Sequence, residues 1–166
     1  MAAGRKKIGI GIENYKVFID KNYYYVDKTL LIKELVDKGG MVNLFTRPRR
    51  FGKTLNMDML RTFFEKTNED TSVYFKDKKI WACGKRYREY QGKYPVIFVT
   101  FKDVKKDTWE ETYECIVQLI SIEYKRHSEL VNSTKIQDKD YYNKIVEGTI
   151  DKSLFDSSIM CFTCAA

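Results

Sequence analysis

One histidine, four cysteines and no apolar run as long as the ~18 residues a membrane-spanning helix needs: these scarcities narrow the field before any motif is considered. His127 stands beside Lys125 and Arg126 in a basic helix end. That setting fits a helix-end cap or a surface residue, not a catalytic base. Cys83, Cys115, Cys161 and Cys164 make no disulfide framework in a chain of this size and character. Cys161 and Cys164 form C-F-T-C, half of a zinc knuckle or a redox pair. A zinc site needs about four ligands, so no metal ligand is assigned there. Residues 1–12 lack the apolar core of a signal peptide, which makes the cytoplasm the default location and excludes a membrane partner. Repeats and low-complexity linkers are also missing.

What is present is a chain of 166 residues, 43% hydrophobic and 14% aromatic, enough for a packed core of one domain's size. Thirty basic against 23 acidic residues give a formal net charge of +7 and a pI near 9.1. Such a balance favours anionic partners: a nucleotide, a nucleic acid or an acidic protein surface.

The stretch 41–64, MVNLFTRPRRFGKTLNMDMLRTFF, organises the rest. It reads as a short apolar strand (41–46), a basic loop (47–52), and a helix opened by Lys53 and Thr54. Leu55, Met59, Leu60, Phe63 and Phe64 share one side of that helix. Strand, loop and helix in this order are the setting of a phosphate-binding loop, in which backbone N–H groups and the helix dipole converge on an anion. Gly52 would let the backbone approach, Lys53 would reach the outer phosphates, and the Thr54 hydroxyl would take a Mg²⁺ position. The general pattern G-x-x-x-x-G-K-[ST] has Arg47 where its first glycine belongs, and Pro48 pushes Arg47 toward extended geometry. Taken alone, G-K-T fits a basic surface turn before an ordinary helix equally well.

Three runs, YYYVDKTLLIKEL (23–35), NLFTRPRRFGKTLNMDMLRTFFE (43–65) and KYPVIFVTFKD (93–103), resemble the bacterial AAA-ATPase-like family, whose members carry an RPRRFGK[ST] loop. The resemblance covers about residues 7–148. It implies an ATP-binding core using ATP and Mg²⁺, often followed by a PD-(D/E)XK-type nuclease-like region that has no counterpart in this sequence. It also implies nucleotide-binding roles for Arg47, Pro48, Arg49, Arg50, Phe51, Gly52, Lys53, Thr54 and Leu55. Asp27 and Lys28 are second-rank candidates, because the Tyr-Val-Asp-Lys-Thr region lies near the nucleotide end in that family; a solvated turn before a helix explains both equally well.

Elsewhere, 13–20 and 28–38 read as helices, the second stopped by Gly39 and Gly40, and 23–26 as a short strand. Residues 66–92 read as a short helix plus loops. YPVIFVTF (94–101) suits a strand buried on both faces. Thr108 and Glu111 have capping-box form before a long helix with a stripe of Trp109, Tyr113, Ile116, Val117, Ile120 and Tyr124; residues 138–147 form one more, ended by Gly148. The predicted class is α/β: a partial P-loop NTPase core of strand, loop, helix, strand and long helix (41–150) behind an N-terminal α/β lead (1–40), with an atypical, disordered tail (151–166).

A P-loop ATPase needs a carboxylate at the end of a second apolar strand to hold Mg²⁺. Asp103, after 94–101, is the weak candidate, since the family's own acidic strand follows the long helix. The ending SSIMCFTCAA does not continue the family pattern and reads as a truncation or frame shift. The expected function is therefore nucleotide binding with hydrolysis doubtful. The alternatives are a basic nucleic-acid-binding module, in which Arg47, Arg49, Arg50 and Lys53 contact backbone phosphates and aromatics such as Tyr23 stack bases, and a fragment without activity of its own.

Overall fold

Asn14 starts the first helix by accepting a hydrogen bond from the Val17 N–H through its side-chain oxygen at 2.9 Å, and α1 (Tyr15–Asp20) follows. The computed structural model describes residues 6–46, 48, 51–132, 136, 138–150 and 155. After α1 come α2 (Leu30–Lys38), α3 (Lys53–Phe64), α4 (Lys79–Ala82), α5 (Lys85–Arg88), α6 (Trp109–Arg126) and α7 (Lys139–Glu147). Short 3-10 turns lie at Thr71–Tyr74 and Ser128–Asn132. The chain divides into two units, Met1–Val96 and Ile97–Ala166, each with its own core.

In the first unit Tyr15, Ile32, Met59, Leu60, Phe63, Phe75, Ile80 and Tyr87 form the core. Each large apolar side chain buried there contributes roughly 1.5–3 kcal/mol. The apolar side of α3 is the one the sequence pattern marks: Met59, Leu60 and Phe63 are buried, Leu55 and Phe64 half-buried. Phe75 lies at the centre, stacked on Tyr15 with ring centroids 5.4 Å apart and edge-on to Phe63 at 5.0 Å. The backbone at Gly39 turns left-handed (φ +56°) and ends α2 there, as the Gly-Gly pair predicts.

In the second unit Thr108 caps α6, its Oγ1 accepting from the Glu111 N–H at 3.2 Å. Ile120 and Tyr124 of α6 pack on Tyr142 and Ile145 of α7. Asp138 caps α7 by accepting from the Tyr141 N–H at 2.8 Å, and Gly148 ends it. Trp109 departs from the predicted stripe: it is 67% exposed, because it occupies the first helical position, before the surface that α7 covers. His127 is the C-cap of α6, its N–H bonded to the Glu123 carbonyl at 3.1 Å, and is buried, not superficial.

The α/β expectation is overturned. Among the described residues there is no strand and no sheet, only an isolated parallel bridge between Glu65 and Tyr94. The helices of the expected partial P-loop NTPase core are present; its strands are not, and the N-terminal lead is helical where it is regular at all. Residues 41–46 form no regular element, with Met41, Val42 and Leu44 at 103%, 89% and 85% exposure where a doubly covered strand would be near zero. In the 94–101 run Val99 and Phe101 are exposed, and the Phe98 N–H is bonded to the Glu123 carboxylate at 3.1 Å. An apolar β-branched run satisfies a strand only when other strands supply both edges, and that pairing is a non-local property no run carries in itself. The tail assigned to 151–166 lies outside the described residues apart from Phe155, which is buried in the second core.

Candidate functional site

The start of α3 is set by its preceding glycine. Gly52 is the N-cap residue with φ +71° and ψ +28°, a left-handed conformation that glycine enters without steric penalty. No side chain caps α3, and a Cβ built on Gly52 would meet nothing within 4 Å. The first-turn N–H groups, which lack intrahelical acceptors in any α-helix, form the positive end of the helix dipole, and no described side chain caps them. Lys53 and Thr54 are exposed in that first turn, Leu55 is half-buried against the core, and Phe51 before them is 60% exposed. Pro48 is exposed as well. Arg47, Arg49 and Arg50 lie outside the described residues.

Beside this helix start is a cavity of about 450 Å³, walled by α2 and α3 and by the chain before the loop. Lys53 lines it together with Lys28 from the start of α2. Leu30, Leu31, Phe45 and Met57 give it apolar walls, and Glu34, Asn43 and Asn56 give it polar edges. The structure therefore joins two residues that are 25 positions apart in sequence, Lys28 and Lys53, at one concavity. Asn56 and Met57 were not among the sequence candidates, although their spacing from Lys53, three and four positions along one helix, puts all three on one face. The α2 wall repeats this spacing, with Glu34 three positions after Leu31.

Asp27 has a different employment. Its Oδ1 accepts from the Thr29 N–H at 2.9 Å and the Thr29 hydroxyl at 2.7 Å, and its Oδ2 accepts from the Lys79 N–H at 2.8 Å. Thr29 Oγ1 in turn accepts from the Ile80 N–H at 3.2 Å, so the Asp27–Thr29 pair anchors the starts of α2 and α4 together. Partial burial pushes the Asp27 carboxyl up, but the hydrogen bonds from Lys79 and Thr29 and the Lys78 charge outweigh it and hold the group below its usual value of 3.8. Lys28 sits between these two anchored residues, which fixes its backbone at the cavity mouth.

A second anchor holds α3. Asp58, 5% exposed, accepts from the Tyr15 N–H at 2.7 Å, supplying the start of α1 with an acceptor from another helix. Arg61 lies 3.3 Å from the other oxygen of the same carboxylate and 3.6 Å from Glu65. Asp103, the weak metal candidate, is exposed in a turn of the second unit and borders a separate hollow with Thr100, Lys106 and Cys115. Among the described residues no three metal-capable side chains gather in one place. No described helix is long and apolar enough to cross a membrane.

A protein of Azotobacter chroococcum mcd 1, described as "Uncharacterized protein in vnfD 5'region", is 46% identical over 61 residues, 36% of this chain and 12% of that protein's length. No solved structure matches the chain. The family described as predicted AAA-ATPase matches residues 9–158, nearly the whole sequence including α2, the basic loop and α3, and the chain belongs to that family.

Proposed function

We propose that the chain binds a nucleoside triphosphate, ATP with Mg²⁺, at the start of α3 and the cavity beside it. The observation that carries the reading is the left-handed, Cβ-free Gly52 immediately before Lys53 at the mouth of a two-lysine cavity. A phosphate chain needs close backbone approach, unsatisfied N–H donors and fixed positive charge, and this corner offers all three. Gly52 admits the phosphates, Lys53 neutralises the outer ones, Lys28 adds a second cation, and the Thr54 hydroxyl is the oxygen available to Mg²⁺. Arg47, Arg49 and Arg50 bring further charge to the loop by sequence. Family membership supports the same ligand.

Hydrolysis needs more than binding. Mg²⁺ and the attacking water must be positioned by carboxylates, and that positioning supplies most of the rate in phosphoryl transfer. Asp103 is the sequence's one candidate for that role, so the proposed activity is binding with turnover below the ~1 s⁻¹ at the low end of enzymes.

The test is titration of the purified chain with fluorescent ATP, with and without Mg²⁺, for the parent and for Lys53→Ala. Lys53 is exposed, so its removal leaves the fold intact. Loss of a charge-assisted contact of ~1.5–3 kcal/mol weakens binding roughly ten- to a hundredfold. Equal affinity in parent and variant refutes the assignment, and Lys53-dependent phosphate release at enzymatic rates refutes the restriction to binding.

A further inference from the structure

The positive charge of this chain is concentrated. Between residues 76 and 93 there are seven basic residues against Asp77 and Glu89, a net +5 out of the chain's +7. The segment carries α4 and α5, which pack on each other, with α4 also resting on α2. Lys79, Arg88 and Lys93 are exposed, and the Lys85 and Arg86 side chains are 87% and 67% exposed. Aromatic rings alternate with these cations. The Arg88 guanidinium lies 5.7 Å from the centroid of the half-buried Trp81 ring, that of Arg86 lies 5.5 Å from Tyr87, and Tyr90 is stacked with Tyr94 at 6.2 Å.

None of this belongs to the nucleotide site, whose cavity is lined by no residue of the segment. We propose that residues 76–93 form a docking surface for the backbone of single-stranded nucleic acid, held without sequence preference. Two observations favour this over an acidic protein partner. The patch already has loose carboxylate neighbours, Lys85 to Glu89 at 3.9 Å and Arg86 to Asp37 at 3.6 Å, and exposed pairs of that kind contribute ~1 kcal/mol or less. Exchanging them for a partner's carboxylates gains little. A nucleic-acid strand instead brings closely spaced phosphates whose condensed counterions are released on neutralisation, an entropic gain an acidic peptide lacks. The partly exposed rings beside these cations, Trp81, Tyr90 and Tyr94, are the second, since bases stack on such rings with little regard to sequence.

The experiment uses the whole chain and a fluorescent oligonucleotide of ~20 nucleotides, long enough for the several nucleotides such a groove engages. Its dissociation constant is followed against salt concentration for the parent, for K79A/K85A/R88A, for K105A/K106A/K125A in the second unit, and for K53A. The parent is expected to bind at on the order of 10⁻⁶–10⁻⁴ M at physiological salt, with a steep salt slope. K79A/K85A/R88A should weaken binding about tenfold or more and reduce the slope by about 2, at ~0.7 per lost phosphate contact on a single strand. The second-unit triple, which removes the same charge, and K53A should stay within about twofold. Equal loss in the two triples would make the effect one of overall charge and overturn the proposal. An equal loss in K53A would move binding to the loop, and tighter binding of duplex or of polyglutamate at the same salt would replace the single strand; each overturns it, as does a parent that does not bind. If melting shows the patch triple misfolded, Lys85→Glu, at a side chain 87% exposed, carries the same comparison.

Discussion

Substituting Gly52 separates the cost of a left-handed backbone from the cost of a lost ligand contact. At φ +71° an L-residue with a Cβ loses ~1–2 kcal/mol relative to glycine. Because a Cβ there meets nothing within 4 Å, no packing term is added. Gly52→Ala also narrows the unfolded ensemble, which returns ~0.4–1 kcal/mol. The net destabilisation is therefore about 1 kcal/mol, a fall in Tm of about 4–8 °C for a unit of this size. Asn tolerates left-handed geometry and should lie within ~0.5 kcal/mol of the parent, whereas the β-branched side chain of Val should cost more than Ala. Thermal unfolding followed by far-ultraviolet circular dichroism reads this order: Gly, Asn, Ala, Val. Nucleotide affinity should fall in the same order but more steeply, tenfold or more for Ala, since under the proposed reading a phosphate would approach through the open space at Gly52. If Gly52→Val melts with Gly52→Asn, the left-handed turn before α3 is not the conformation in solution and the reasoning fails.

Asp58→Ala removes the acceptor of the Tyr15 N–H and the partner of Arg61 in a buried setting, at a cost of ~2–3 kcal/mol, or roughly 10–20 °C in Tm. Asp58→Asn keeps an acceptor for the amide and should lose about half as much; equal melting of Asp58→Ala and the parent would show the link between α1 and α3 to be idle. Asp27 gives a pH dependence: its folded-state carboxyl titrates below 3.8, so its contribution is fully present above that value and is lost as pH falls through the lower folded value. Stability curves of the parent and Asp27→Asn measured down through that range should converge at the acid end, and a constant separation between them would contradict the assignment.

The sequence made most of the helices legible because their signals are local. The Thr108 cap, the stops at Gly39 and Gly148 and the apolar side of α3 each lie within a few residues of what they determine. Strands were misread for the complementary reason: residues 41–46 and 94–101 have strand composition, yet pairing partners decide whether such runs become strands, and composition does not encode partners. At the proposed site, Gly52, Lys53 and Thr54 are the residues that order in the sequence singles out. Its walls could not be picked out, apart from the second-rank candidate Lys28, because the neighbourhood of Phe45 and Met57 arises from tertiary packing of α2 beside α3. Asp27 shows the opposite hazard, a carboxylate next to the site whose oxygens are taken up by Thr29 and Lys79.

The bond from the Tyr15 amide to Asp58 spans 43 residues of chain and makes one helix the lid on another's exchangeable proton. Deuterium can reach that amide only when the carboxylate of α3 withdraws or α1 lifts away, so its exchange rate measures the joint opening of both helices and not the fraying of α1 alone. A ligand that binds the first turn of α3 only while that arrangement is closed raises the free energy of the opening by RT ln(1 + L/Kd), with L the free ligand concentration. Occupancy at the basic loop is therefore legible as slowed exchange at Tyr15, an amide that no phosphate touches.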